Sequence, residues 1–571
     1  MQYSKHIETK KDDGKKIVLP ILTGRLIVAV VVGVLLLFYF PISNHLINTA
    51  MAQDVPPKQA TINSTNSNNS NVIQRAIDAI GGMKSLQSIR TEFVSADGQR
   101  YEPGQKFSPD EYPKYDSSYH YNATHDLTSN SLHMNWEREV VYPYPQNLKY
   151  NVVIANNTGF INGKDGLFSL PKAPMQSSHV NAILKDQLIT SPHLLLRIAV
   201  EHPNLAVIQR DEQFEGRPHH IISLSTGKAS QPIKVFLDAN TFLPTKVENI
   251  EDDPVYGDAL VQVFFSDWHK VNGLLFPFNI LHRIQGQVIE EKRSSIAVNV
   301  PSSFSSGNGF IIPPNMQTSV DSHDALLGWQ DSQWFLRMEA FGLPHYNRVP
   351  PVNFTQLSPG VYHVTGDTHH SLVIDMKDYI IVVEAPLYQE RSQAVIHEIN
   401  KLWPGKPIRY IVQTHSHDDH IGGLRAYAAD GAIVVTSEVN KDRVGQILNA
   451  SHTIRPDMLQ LHPRQVMTEY VTSQKKIISD GNRSVEIYPV KNSHADDMLA
   501  VYLPKEKILL DSDLYSPGGS PAPFKIYAKQ LLDFITQTGL DVKIIAGTHG
   551  GFGPLKDLQK FVNQEDIRVH Y

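Results

Sequence analysis

The sequence predicts an α+β protein in two parts, a mainly antiparallel β region followed by a region where apolar strand runs alternate with helical stretches. Three observations carry this. From about Arg90 to Val300, short apolar or alternating runs are bounded by turn residues, the signature of an antiparallel sheet. After Asn353, four apolar runs are each followed closely by histidine or aspartate, and open α/β architectures place their sites just past strand ends. Finally, 571 residues, 41% of them apolar, suffice for two to four domains with their own cores.

Composition narrows the chemistry. With 34 Gly and 36 Pro the chain is neither collagen-like nor of low complexity. A net charge of -6 argues against a dedicated nucleic-acid binder. The absence of cysteine excludes disulfides, thiolate metal sites and cysteine nucleophiles. The 26 histidines prompt a search for metal ligands and acid/base groups.

Residues 1–25 carry six basic side chains against three acidic ones, and residues 26–53 carry no charged side chain at all. Ala50-Met51-Ala52 then sets small residues where a signal peptidase reads. A basic start, an apolar stretch and an A-x-A site describe a signal peptide over residues 1–52. An uncleaved anchor is the other reading, because positive flanks stay in the cytoplasm. Both put the bulk of the chain outside the cytoplasm: periplasmic or secreted in the first case, held on the inner membrane and close to its surface in the second. Residues 53–71, rich in Ser, Asn and Thr with Pro56-Pro57, read as a flexible tether.

Residues 72–301 form the β-rich domain. Asn71 is placed to cap a helix whose apolar residues Val72, Ile73, Ala76, Ile77 and Ile80 recur at helical spacing, ended by Gly81-Gly82. Strands are clearest at 220–224, 233–237, 245–247, 260–265 and 276–280, with a hairpin turning at Asp238-Ala239-Asn240-Thr241 and a connection from Trp268 to Gly273. The expected sheet is curved or closed, packing on a helix or forming a half-barrel. The helix ending in Gly-Gly, Leu237-Asp238 before Phe242-Leu243-Pro244, and Trp268 before Asn272-Gly273 together resemble periplasmic lipoprotein-carrier half-barrels. Tyr101, Tyr112, Tyr115, Tyr119, Tyr121, Tyr142, Tyr144 and Tyr150 crowd the early part; they read as residues of a half-exposed sheet. Residues 302–352, with Pro313-Pro314 and then Trp329 and Trp334, form a linker and a bridging segment expected to be helical.

The chemistry lies in residues 353–571. The strand run 408–414 leads into His415-Ser416-His417-Asp418-Asp419-His420, then Ile421-Gly422-Gly423 and a helical stretch. Four donors in six residues on one strand-to-helix turn suit zinc, and also iron or manganese. The runs 485–490, 507–510 and 542–546 lead to His494, to Asp511-Ser512-Asp513 and to Gly547-Thr548-His549.

These residues resemble the metallo-β-lactamase superfamily, with the H-x-H-x-D-H signature complete and His494, Asp513 and His549 in the family's order. The resemblance implies an αββα sandwich with two divalent ions, zinc above all, in a cleft at one sheet edge. One ion would take His415, His417 and His494; the other would take Asp419, His420 and His549, with Asp513 bridging. Such a pair supplies a shared water whose pKa falls from about 15.7 towards roughly 7, a hydroxide nucleophile at neutral pH. Asp419 is the catalytic candidate, orienting the nucleophile and relaying its proton. Glu384 stands where the family usually has Asp. His369, His370, Lys491 and Tyr515 are within reach of substrate or are ordinary loop residues.

The expected activity is hydrolysis of an ester, lactone, thioester, phosphoester or sulfate ester in a small-molecule or lipid-like substrate. Antibiotic hydrolysis is disfavoured, because the chain has no Cys ligand and Asp513 departs from the β-lactamase subclass that needs none. Two further readings stay open: a mononuclear-iron oxygenase of the same fold, and a ligand carrier whose metal domain is a scaffold. Neither the substrate nor the oligomeric state is written in the sequence.

Overall fold

The alternating runs of the middle region become thirteen strands of a single antiparallel sheet. A computed structural model describes residues 65–142, 145–165, 171–175, 177–225, 231–284, 287–301, 309–318, 351–366, 368–519 and 524–564. The leader, most of the tether, Tyr144 and the segment with Trp329 and Trp334 lie outside these residues. Among the described residues no helix is long and apolar enough to cross a membrane.

Thr91–Glu102 lies next to the central strand of the large sheet, paired with Lys114–Asp126 on one side and with that central strand, Gln287–Val298, on the other. From it one meander steps outward to Lys172–Pro174, and a second returns from Ala206–Phe214 at the far edge. The order is linear, so among the described residues the sheet is open and not closed on itself. Four helices, Thr65–Ile80, Met83–Gln87, Ser177–Ile189 and Pro192–Glu201, frame it. Ile77, Ile80, Leu86, Leu195 and Leu196 from these helices share a core with Leu132, Ile154, Val235, Val263 and Phe276.

Two local expectations shift. The first helix begins at Thr65, so Asn71 lies inside it and does not cap it. Trp268 belongs to the strand Gly257–Val271, opposite Pro277, and the turn narrows to Asn272-Gly273. The hairpin at Asp238 forms as read: its Oδ1 accepts from the amides of Asn240 and Thr241 at 3.0 and 2.9 Å. Of the crowded tyrosines, Tyr119, Tyr121 and Tyr150 are buried around Trp136 with ring centroids 4.8 to 6.1 Å from it.

The C-terminal region holds two sheets face to face. The first runs in order from Asn353–Ser358 through Val361–Thr365, Ser371–Asp375, Ile380–Val383, Ile408–Val412 and Ile433–Ser437 to Thr468–Val471, its last four strands parallel. The second runs from Lys476–Ser479 to Phe552–Pro554. Alternation along a strand sends successive side chains to opposite faces. Ile381 and Val383 therefore meet Val501, Leu503 and Leu510 between the sheets, while Ile380 and Val382 meet Ile399 and Tyr427 of the helices outside. Lys525–Thr538 and Leu555–Asn563 cover the second sheet's outer face, which completes four layers, αββα.

The large sheet reaches into this sandwich. At the tip of the hairpin joining Pro244–Asp253 to Gly257–Val271, Val255 is fully buried in the core of Ile399, Tyr427 and Ile447. The Arg443 guanidinium stacks 4.4 Å over the Tyr256 ring. Asp258 accepts from the amides of Thr453 and Ile454 at 2.8 and 3.1 Å. All of this lies in one compact unit, residues 50–571.

Candidate metal centre

The strands of both sheets end at one edge, and their ends carry the donors. Leu499 N donates to Thr414 O at 2.8 Å and Thr548 N to Asp511 O at 3.1 Å; the first ties the His415 loop to the strand that follows His494, and the second ties the Asp513 loop to that of His549. The signature turn becomes a one-turn helix, Asp418–Ile421, followed by Leu424–Asp430. Gly422 makes this possible, since a Cβ there would stand 1.9 Å from the Leu387 carbonyl oxygen.

Seven sequence-nominated residues converge in two sets. In the first, His417 Nδ1 lies 3.2 Å from His494 Nε2, and Asp513 Oδ2 lies 3.1 Å from His494 Nε2 and 3.6 Å from His415 Nε2. In the second, His420 Nε2 lies 3.3 Å from His549 Nε2 and 3.7 Å from Asp419 Oδ2. The other oxygen of Asp513, Oδ1, is 2.9 Å from His420 Nε2 and 3.2 Å from His549 Nε2. One carboxylate thus faces both sets.

These separations fit cations. Tetrahedral zinc with Zn–N of about 2.0–2.1 Å holds its ligand atoms about 3.3–3.4 Å apart, close to the nitrogen–nitrogen distances here. His415 Nε2 is buried with no hydrogen-bond partner, a costly state for an imidazole nitrogen without a ligand. Burial disfavours charge on His420, yet Asp513, Asp419 and Glu384 together hold its pKa well above the usual imidazole range. Three buried carboxylates around one ring are an excess of negative charge that a divalent cation neutralises. Burial, and then His415, push His417 well below its ordinary value, so its ring is neutral. Against burial, His420 and its neighbours hold Asp513 well below the carboxylate range.

Outer partners fix the ligands. Glu384, fully buried, accepts from the Thr414 amide at 3.0 Å and faces His420 Nδ1 at 2.8 Å.

Beyond the nominated ligands, the structure adds His369. Its Nε2 lies 3.1 Å from Asp419 Oδ2 and it joins the set of Asp419, His420 and His549. Burial, and then His549, push it down to about 3. The sequence offered it as a substrate contact or an ordinary loop residue and not as a metal donor, since spacing does not reveal that role. Gln105 from the large sheet's side donates to Asp419 Oδ1 at 2.8 Å, with no sequence signal at all. His370 packs on His363, ring centroids 5.1 Å apart, and Tyr515 on Phe561 at 5.9 Å. Lys491 is exposed. None of these three enters a donor set among the described residues.

The sequence model of the metallo-beta-lactamase superfamily matches residues 364–549. A metallo-beta-lactamase type 2 of Elizabethkingia meningoseptica is 23% identical over 141 residues, 25% of this chain and 50% of that protein. A linear primary-alkylsulfatase of Pseudomonas sp is 32% identical over 71 residues, 12% of this chain and 10% of that protein. The chain thus spans half the length of the first relative and a tenth of the second. A solved metallo-beta-lactamase from Pontibacter korlensis has 20% identity and a TM-score of 0.28, covering 38% of this chain and 100% of its own. The C-terminal part of the chain, residues 364–549, belongs to the metallo-beta-lactamase superfamily.

Proposed function

We propose that the chain is an exported metal-dependent hydrolase that cleaves an ester-type bond with two divalent cations, zinc by preference, held by the two donor sets. The observation that carries this is Asp513, whose two oxygens each face a different set at 2.9 to 3.6 Å. His415, His417 and His494 would hold one cation. His420, His549 and Asp419 would hold the other, with His369 as a fourth donor. Bound there, the pair supplies a water of lowered pKa and an electrophile for the oxygen of the scissile bond.

The chain's own residues do the rest. Asp419 Oδ2 faces the second set while Gln105 restrains Oδ1, so this carboxylate orients the attacking water and takes its proton. His549 lines the side open to substrate, its side chain retaining 30% exposure. The substrate is a small or lipid-like molecule, and the local likeness to an alkylsulfatase makes alkyl sulfates the first esters to assay. Export rests on the basic and then uncharged leader of residues 1–52.

Metal analysis of the purified chain, joined to a panel of carboxylic, phosphate and sulfate esters, tests this. Two zinc ions per chain and hydrolysis of at least one ester are expected. His417→Ala should lose an ion and more than about 100-fold of the activity, beyond the 10–100-fold typical of outer partners. One iron per chain with oxygen uptake, or an active metal-free variant, would overturn the proposal.

A further inference from the structure

The metal ligands come from the sandwich, but the large sheet also reaches them. Where the strand Thr91–Glu102 ends, the chain makes a short turn, Pro103–Gln105, capped by Glu102 accepting from the Gly104 amide at 3.0 Å. This turn lies against the signature helix. A Cβ on Gly104 would stand 2.5 Å from Asp418 Cγ, so only glycine allows the approach. Phe107 O accepts from Asp496 N at 2.8 Å, two residues past His494.

Two contacts from this turn fall on nominated ligands. The Lys106 carbonyl lies 2.9 Å from His417 Nε2. A carbonyl can only accept, so Nε2 carries the proton and Nδ1 keeps its lone pair, turned to His494. Gln105, 3% exposed, donates from Nε2 to Asp419 Oδ1 at 2.8 Å. Its Oε1 accepts from the Tyr142 hydroxyl at 2.6 Å. The amide orientation is forced, because an ionised carboxylate only accepts. Tyr142 itself is buried, with the Lys114 ammonium 4.1 Å from its ring.

We propose that residues 102–107 of the large-sheet region complete the metal centre: the Lys106 carbonyl sets the tautomer of His417, and Gln105, held by Tyr142, orients the Asp419 carboxylate. Gln105 is a positioning residue that acts through Asp419. Partners of this kind fix ring tautomer and ligand orientation, and their loss typically weakens metal binding 10–100-fold. The inference rests on reading His417 and Asp419 as ligands. It makes the two regions one functional unit.

The test is a cobalt(II) titration of the metal-free full-length chain, followed by visible absorption and by competition with a chelator. Wild type should bind two ions. Gln105→Ala should keep an unchanged far-ultraviolet spectrum but bind one ion about 10–100-fold more weakly, with altered absorption for that ion. Tyr142→Phe keeps the ring and loses only the hydroxyl, so a smaller weakening of the same ion is expected. Two ions bound by Gln105→Ala with wild-type affinity and absorption would overturn the positioning role alone. A wild-type chain that binds no cobalt would overturn the ligand reading and this inference with it.

Discussion

Glu384 Oε2 lies 2.8 Å from Nδ1 of His420, and both side chains are fully buried. The carboxylate accepts the Nδ1 proton, which turns the Nε2 lone pair towards Asp513 and His549. Its other oxygen accepts from the Thr414 amide at 3.0 Å. Two donors thus point at one glutamate, and a glutamine can satisfy only one of them with its single oxygen. Glu384→Gln should weaken retention of one ion about 10–100-fold, read by chelator competition. Wild-type retention would show that Glu384 does not orient His420.

Gly422 sits where the signature helix touches the loop that follows Ile380–Val383. A methyl there meets the Leu387 carbonyl at 1.9 Å, and backbone on both sides leaves no flexible group to yield. Gly422→Ala should cost about 3 kcal/mol or more in urea unfolding. A loss under about 1 kcal/mol would mean the helix shifts freely.

The docked hairpin tip makes a separate claim. Val255 is fully buried in the sandwich's helical core, whereas Val207 on the edge strand is 57% exposed. Val255→Ala removes two buried methyl groups, worth about 2 kcal/mol with the cavity they leave. Val207→Ala should change stability by less than about 0.5 kcal/mol. Equal urea midpoints for the two variants would contradict the docking.

Asp497 gives a pH signature. It is 1% exposed, and burial, followed by the Asp496 charge, pushes its pKa up to about 7. In the unfolded chain an aspartate titrates near about 3.9. The folded chain therefore holds this proton more tightly, and the stability it contributes is complete below about pH 4 and lost as pH rises to about 7. Asp497→Asn cannot ionise, so the variant should gain on wild type across that window, by on the order of 4 kcal/mol. Thermal melts of both proteins from pH 4 to 8 check this; parallel curves would refute it.

The donor cluster was legible in the sequence because its core is local. His415, His417, Asp419 and His420 lie within six residues, so a strand ending in a tight helical turn brings them together whatever surrounds it. His494, Asp513 and His549 share a second local rule, a polar residue just past an apolar strand. Alternation likewise marked the antiparallel strands. Pairing was another matter: Thr91–Glu102 and Gln287–Val298 lie side by side although about 190 residues separate them in the chain, and periodicity says which face a residue takes but not which strand it meets. The same limit hid His369 as a member of the second set, and Gln105, 314 residues from the carboxylate it touches. By itself the sequence determined which residues are chemically fit to hold metal. Tertiary packing alone decided which distant groups orient them, because an orienting hydrogen bond exists only once the large sheet's turn is pressed against the sandwich.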